Sequence, residues 1–133
     1  MVRLRPSAEL ERSIERDADA GLGEDYSIRL GKGQIARIKL ERLSDERAWI
    51  DWVFVPPSHR GEGLAGTLMR AVLSDADDAG VEVSLEPRAC AGLAQAKLEA
   101  WYRGFDFHDS GRRGDFGPIF VRAAAAQVQR RAA

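Results

Sequence analysis

The chain has a single cysteine, Cys90, among its 133 residues. That excludes an internal disulfide and a zinc site built on cysteine pairs. Its two histidines, His59 and His108, stand alone, and no metal site is read from the sequence. The net charge is −1, so there is no excess of either sign to draw the chain to nucleic acid or to an anionic membrane. No apolar run approaches the about 18 residues a membrane span needs. Arg3 and Arg5 are not followed by an apolar segment, so no signal peptide is read and a reducing cytoplasm is the expected location. There is no internal repeat. What remains is a globular composition, 44% hydrophobic and 31% charged, long enough for one domain with one core.

Met1–Leu4 reads as a short edge strand, and Pro6-Ser7 as the entry to a helix over residues 8–20, with Leu10 and Ile14 on its apolar side. Gly21-Leu-Gly23 ends it. Tyr26–Leu30 and Gln34–Arg42 flank Gly31-Lys-Gly33, which predicts an antiparallel hairpin. Ala48–Val55, with two tryptophans, extends it to a three-stranded meander. Leu64, Leu68 and Val72 recur every four residues and predict a long helix that ends near Gly80. Val81, Val83 and Leu85 alternate with Glu82, Ser84 and Glu86, the pattern of a strand with one buried face. Pro87–Gly92 is a loop, Leu93–Arg103 a second helix, and Phe105–Asp109 and Pro118–Arg122 short strands. A helical crossover joins the strands on either side of the long helix, so that pair is expected to be parallel. The sequence thus predicts an α/β (α+β) fold with a mixed, mainly antiparallel sheet, one central parallel pair and flanking helices. Residues 1–122 form one domain. Residues 123–133 form an alanine-rich basic tail, which with the last strands offers a surface for a homodimer.

The chain is organised around Asp51–Met69, where an apolar strand runs through Pro56-Pro57 and a basic, glycine-rich turn into a helix. The first amides of a helix have no partner within it and lie at the positive end of its dipole, so this is a place to hold a phosphate. Gly61-Glu-Gly63-Leu-Ala-Gly66 fits the dinucleotide pattern G-x-G-x-x-G, with Glu86 placed 20 residues after Gly66. In that pattern the first glycine follows its strand almost at once, whereas Pro56-Pro-Ser-His-Arg60 intervenes here. The chain also lacks the βα units of a doubly wound fold.

Val53-Phe-Val-Pro-Pro-Ser-His-Arg-Gly-Glu-Gly-Leu-Ala-Gly-Thr-Leu-Met69 resembles motif A of the GCN5-related N-acetyltransferases, with Arg60-x-x-Gly63-x-Ala65 after Pro57. Leu98-Glu-Ala-Trp-Tyr102-Arg-Gly-Phe-Asp-Phe107 resembles the family's second signature, an aromatic-Tyr-x-x-x-Gly-Phe, with Asp106 in the glycine position. A second register takes Gly104-Phe105 as the Gly-Phe pair and Ala100 as the tyrosine position. Tyr102 is preferred, because Trp101 and Phe107 then both fit. Aspartate tolerates a left-handed backbone better than most residues.

The resemblance implies an acetyl-CoA cosubstrate. Backbone amides of Arg60, Gly61, Glu62, Gly63, Leu64 and Ala65 would cradle its pyrophosphate, and Thr67 would add a hydroxyl. Val53 and Val55 match positions that pair with the pantetheine arm where the strand splays from its neighbour at a bulge. Val83–Glu86 would form the opposite wall. Tyr102 matches the tyrosine that faces the thioester sulfur. Gln95 is nearest to an asparagine that the family often has at that helix start.

The chemistry asks for a neutral amine, a proton for the departing thiolate and a donor for the carbonyl oxygen. A phenol, with a pKa near ~10, can protonate a thiolate at neutral pH, and a strand N–H can serve the oxygen. Asp51, two residues before Val53 and expected on its face, and Glu86, at the end of the next strand, are the candidate bases. Glu86 is favoured because strand ends open into the cleft. The acceptor expected is a primary amine, either a small molecule or a lysine of a protein or peptide. Asp17, Asp19, Glu24 and Asp25 would suit its positive charge. The different reading of the same fold is an acyl-CoA-binding or assembly module without turnover.

Overall fold

The computed structural model describes residues 7–89 and 93–125. The expected strand at Met1–Leu4, the helix entry at Pro6, Cys90 and most of the C-terminal tail lie outside these residues.

In chain order the elements are α1 (Ser7–Arg12), β1 (Ile14–Arg16), β2 (Asp25–Arg29), β3 (Ile35–Arg42), β4 (Arg47–Phe54), α2 (Leu64–Ala79), β5 (Glu82–Leu85), α3 (Gln95–Arg103), β6 (His108–Arg113) and β7 (Pro118–Arg122). The strands form one sheet in the order β1-β2-β3-β4-β5-β7-β6. Every neighbouring pair is antiparallel except β4–β5, which is parallel and joined through α2. The expected meander, crossover and mixed sheet are all present.

The core follows the periods of the sequence. Tyr26, Ile28, Ile38, Leu40 and Ile50 point from β2, β3 and β4 at Leu64, Leu68, Met69, Val72, Leu73 and Ala76 of α2. Val81, Val83, Leu85, Tyr102, Phe107 and Phe120 continue the same cluster. Each fully buried Leu, Val or Ile contributes about 1.5–3 kcal/mol. That burial gives α2 one fixed face, and Gly80 closes the helix with φ 69°, a left-handed cap. Tyr26 is buried. Its hydroxyl donates to Asp75 Oδ2 at 2.6 Å and accepts from the Gly23 N–H at 3.0 Å. Burial, and then the bond to Asp75, push this phenol well above its ordinary pKa.

Three expectations are corrected. The helix expected over residues 8–20 stops at Arg12, where the Ser13 N–H reaches back to the Glu9 and Leu10 carbonyls. Ile14–Arg16 then pairs with Tyr26–Ile28 as an edge strand. Ile14 still packs on the core, but from a strand. Residues 81–86 do not have a single buried face, since Ser84 is buried too, between Trp49 of β4 and Val121 of β7. Finally, residues 105–107 are a turn rather than a strand start. The N–H groups of Phe105 and Phe107 both bond to the Tyr102 carbonyl, and the strand begins at His108.

Candidate active site

The parallel pair β4–β5 is paired at Arg47↔Glu82, Ala48↔Val83 and Trp49↔Ser84. Beyond Trp49, β4 runs on for five more residues without β5 beside it. The departure coincides with a break on the other side of β4. Lys39 opposes Trp52 while Leu40 opposes Ile50, so Asp51 has no opposite number on β3. This is a β-bulge, which bends and twists its strand. The extra residue also resets the alternation. Ile50 and Val53 both lie opposite buried residues, Leu40 and Ile38, and Val53 packs on the core. Asp51 is exposed. The expectation that Asp51 shares Val53's face is therefore corrected, because simple period-two counting fails across a bulge. On the far wall, Val83 is fully buried and inside the paired segment, so the part of 83–86 beyond the last β4 pair is Leu85 and Glu86.

From β4 the chain passes Val55 and a 3-10 turn at Pro57–His59 and reaches Arg60, whose Nε donates to the Val55 carbonyl at 3.3 Å. Gly61 and Gly63 have φ of 82° and 78°, the left-handed region that favours glycine. A Cβ on either would meet nothing within 4 Å, so the turn faces open space. Gly63 is the N-cap of α2 and no side chain caps that end, which leaves the amides of Leu64, Ala65 and Gly66 aimed outward. The Thr67 side chain does not join them. It is buried, its hydroxyl donates to the Gly63 carbonyl at 2.9 Å, and it faces a cavity between α1, β1 and α2. Sequence reading missed one contact here. His59 Nδ1 lies 3.0 Å from Glu62 Oε2 and clasps the turn. The signal was the i,i+3 spacing of two polar side chains around Arg60-Gly61.

Tyr102 lies in the last turn of α3, 5% exposed, with its ring edge-on to Trp101 and Phe107 at 5.0 and 5.7 Å. Asp106 has φ 71°, whereas Gly104 is right-handed at −62°. The left-handed residue four after Tyr102 is thus the aspartate, in the place where the Tyr102 register puts the glycine.

The two candidate bases stand in different surroundings. Asp51 lines a groove of about 440 Å³ with Trp52, Lys39 and Glu41, and it accepts no hydrogen bond among the described residues. One oxygen of the Glu86 carboxylate, Oε1, accepts the Phe116 N–H. Gln95 is occupied. Its amide donates to the Pro87 carbonyl and to Glu99, and its oxygen accepts from the Ala89 N–H, each at 2.9 Å. Three acids near the groove have structural partners. Asp17 accepts the Glu24 and Asp25 N–H groups, Glu24 accepts the Arg42 N–H, and Asp25 lies 3.1 Å from Arg37. Among the described residues no cluster of His, Cys, Asp or Glu is arranged to hold a metal, and no helix is long and apolar enough to cross a membrane.

A family model described as GCN5-related N-acetyl-transferase matches residues 25–95, from β2 to the start of α3 and more than half of the chain. The chain belongs to the GCN5-related N-acetyltransferase family. Solved structures share its fold at low identity. The ribosomal-protein-S18-alanine N-acetyltransferase from Escherichia coli is 16% identical, with a TM-score of 0.59 over 89% of this chain and 86% of that one. The spermidine/spermine N-acetyltransferase of Vibrio cholerae is 14% identical, with a TM-score of 0.59 over 80% and 68%. The N-acetyltransferase YlbP of Bacillus subtilis, solved in complex with coenzyme A, is 16% identical, with a TM-score of 0.51 over 75% and 67%. No curated protein sequence matches the chain.

Proposed function

We propose that this protein transfers an acetyl group from acetyl-CoA to a primary amine by direct attack within a ternary complex. The observation that carries the reading is the parting of β4 from β5 after Trp49↔Ser84, above a glycine turn whose helix has no side-chain cap. The residues present fit the cosubstrate. The open turn from Gly61 to Ala65 suits a pyrophosphate, because no side chain caps the start of α2 and its dipole points into open space, while the Arg60 N–H expected there is already bonded to the Pro57 carbonyl at 3.4 Å. The backbone of Val53 and Val55, beyond the paired part of β5, suits a narrow amide-bearing arm laid alongside it. Bound there, acetyl-CoA supplies an acyl group activated as a thioester.

The chain supplies the proton handling. Asp51 takes the proton of the incoming ammonium, because its carboxylate is open to the groove and carries no hydrogen bond among the described residues, whereas Glu86 Oε1 already accepts the Phe116 N–H. Tyr102 returns a proton to the departing sulfur. A β4 amide near the bulge holds the carbonyl oxygen. The acceptor is a cationic amine, free or on a peptide lysine. Asp51 and Glu41 face the groove, and Trp52, 46% exposed, offers its ring to a cation. Two structural relatives are named for amine acceptors, an alanine of a ribosomal protein and spermidine or spermine.

Calorimetric titration with acetyl-CoA, with NADH beside it, is the first test. Heat with acetyl-CoA alone, weakened at least about tenfold by Gly63→Trp, is the expected result. Thiol release on adding amines then reports turnover. Tyr102→Phe should keep acetyl-CoA affinity and lose about 10²-fold in rate. Binding without turnover for any amine would mean an acyl-CoA-binding module, and no binding would end both readings.

A further inference from the structure

The segment after β5 and the turn between β6 and β7 are joined by contacts that the reaction does not require. Glu86 Oε1 accepts the Phe116 N–H. Gly114 lies so close that a Cβ there would stand 2.7 Å from Glu86 Oε2 and 3.0 Å from Oε1. The turn is closed by the Gly114 N–H on the Gly117 carbonyl at 2.8 Å. Two residues after Glu86, the Arg88 guanidinium lies 3.6 Å from the centre of the Phe116 ring. That ring is 65% exposed, so its position comes from these contacts and not from burial. The place of this turn in the fold is set by register. β7 runs antiparallel to β5 with Leu85 opposite Phe120, so residues 114–117 hang at the end of the sheet toward which β5 runs and β4 has parted from it.

We propose that Glu86 is a positioning residue: its carboxylate, seated on Gly114 and bonded to the Phe116 amide, sets the β6–β7 turn as a wall beside the β4/β5 opening. This rests on the N-acetyltransferase reading above. It gives the two carboxylates separate tasks, proton acceptance at Asp51 and scaffolding at Glu86. A carboxylate whose oxygens are directed at a backbone amide and a glycine Cα is poorly placed to collect a proton from an incoming amine. The same arrangement gives Gly114, whose backbone conformation is ordinary, a use for its bare Cα, because a side chain there would displace the Glu86 carboxylate.

The test separates an acceptor of a hydrogen bond from an acceptor of a proton. Glutamine in place of Glu86 keeps an oxygen for the Phe116 amide and abolishes the base. Amide hydrogen exchange of Phe116, followed by NMR on the full chain, is expected to quicken at least about tenfold in Glu86→Ala and in Gly114→Ala, and to stay within about threefold of wild type in Glu86→Gln. Gly114→Ala leaves the carboxylate in the protein and displaces it. Thiol release with acetyl-CoA and a lysine-bearing peptide is expected to follow the same pattern. Glu86→Gln keeps turnover and its pH profile, and Glu86→Ala raises KM for the peptide more than it lowers kcat. The proposal is overturned if Phe116 exchange is unchanged in Glu86→Ala, or if Glu86→Gln loses as much turnover as Glu86→Ala. Should wild type fail to bind acetyl-CoA, the enzymatic reading falls, and the exchange measurement alone still decides whether Glu86 holds the turn.

Discussion

Asp106 holds a backbone conformation that costs most side chains about 1–2 kcal/mol, and aspartate pays less of that than most because its short carboxylate can bond locally. Replacing it with glycine should remove the strain that remains. Asp106→Gly is expected to raise stability by up to about 1 kcal/mol, read as a higher urea midpoint with an unchanged slope. Asp106→Val should lower the midpoint. Here the sequence misleads only a reader who matches letters. The left-handed turn is kept by a residue that tolerates it, and Gly104, the nearer match by letter, is an ordinary helix end. Asp51 is the opposite case. Its place on the strand is legible in the sequence, but the bulge that turns it away from Val53's face depends on the pairing of β3, which no local pattern carries.

At the scale of elements, α2 is the most legible, because an apolar stripe along a helix of sixteen residues with glycines at both ends has one interpretation. Yet its first turn divides its labour in a way the sequence hides. Thr67 follows the glycines and invites a phosphate contact, but its hydroxyl is bonded within the helix. Thr67→Val is therefore expected to leave acetyl-CoA affinity within about twofold and to cost about 1 kcal/mol of stability. Calorimetry and a urea melt on the same sample check both. The first helix is shorter than its spacing predicts for a related reason. Leu10 and Ile14 are four apart, as on a helix, but Ile14 is β-branched and has Ile28 to pair with, a long-range partner that spacing does not reveal.

Across the whole molecule, the end of the described chain is tied to the back of α2. Arg122 grips Asp77 with two bonds of 2.9 and 3.1 Å and also donates to the Phe105 carbonyl, while the Ala125 N–H donates to the same Asp77 carboxylate. The Arg122 bonds hold the Asp77 carboxyl below its usual range. Its contribution to stability is thus complete above the unfolded-state value near ~3.9 and is lost as pH falls through the lower folded value. Asp77→Asn should lower stability by about 2 kcal/mol at pH 7 and flatten the acid limb of the stability curve, measured as urea midpoints from neutral to strongly acid pH. From β2 onward the order of elements, the parallel pair and the glycine turn are readable in the sequence, since each leaves a local mark. This tie and the Glu86 seat are not, because each joins residues that only the finished fold brings together.

An open sheet presents two rims, and each is a ready template for a stray chain. Here both are blunt. β1 offers three residues, and β6 is almost wholly polar, broken in register and interrupted by Gly111 at φ 82°. The unclaimed backbone lies inside instead, where β4 runs on beyond its partner. The molecule is therefore guarded at its borders and receptive at its centre, so that an extended guest gains a ladder of hydrogen bonds by entering the interior of the sheet and little by lining up along its outside.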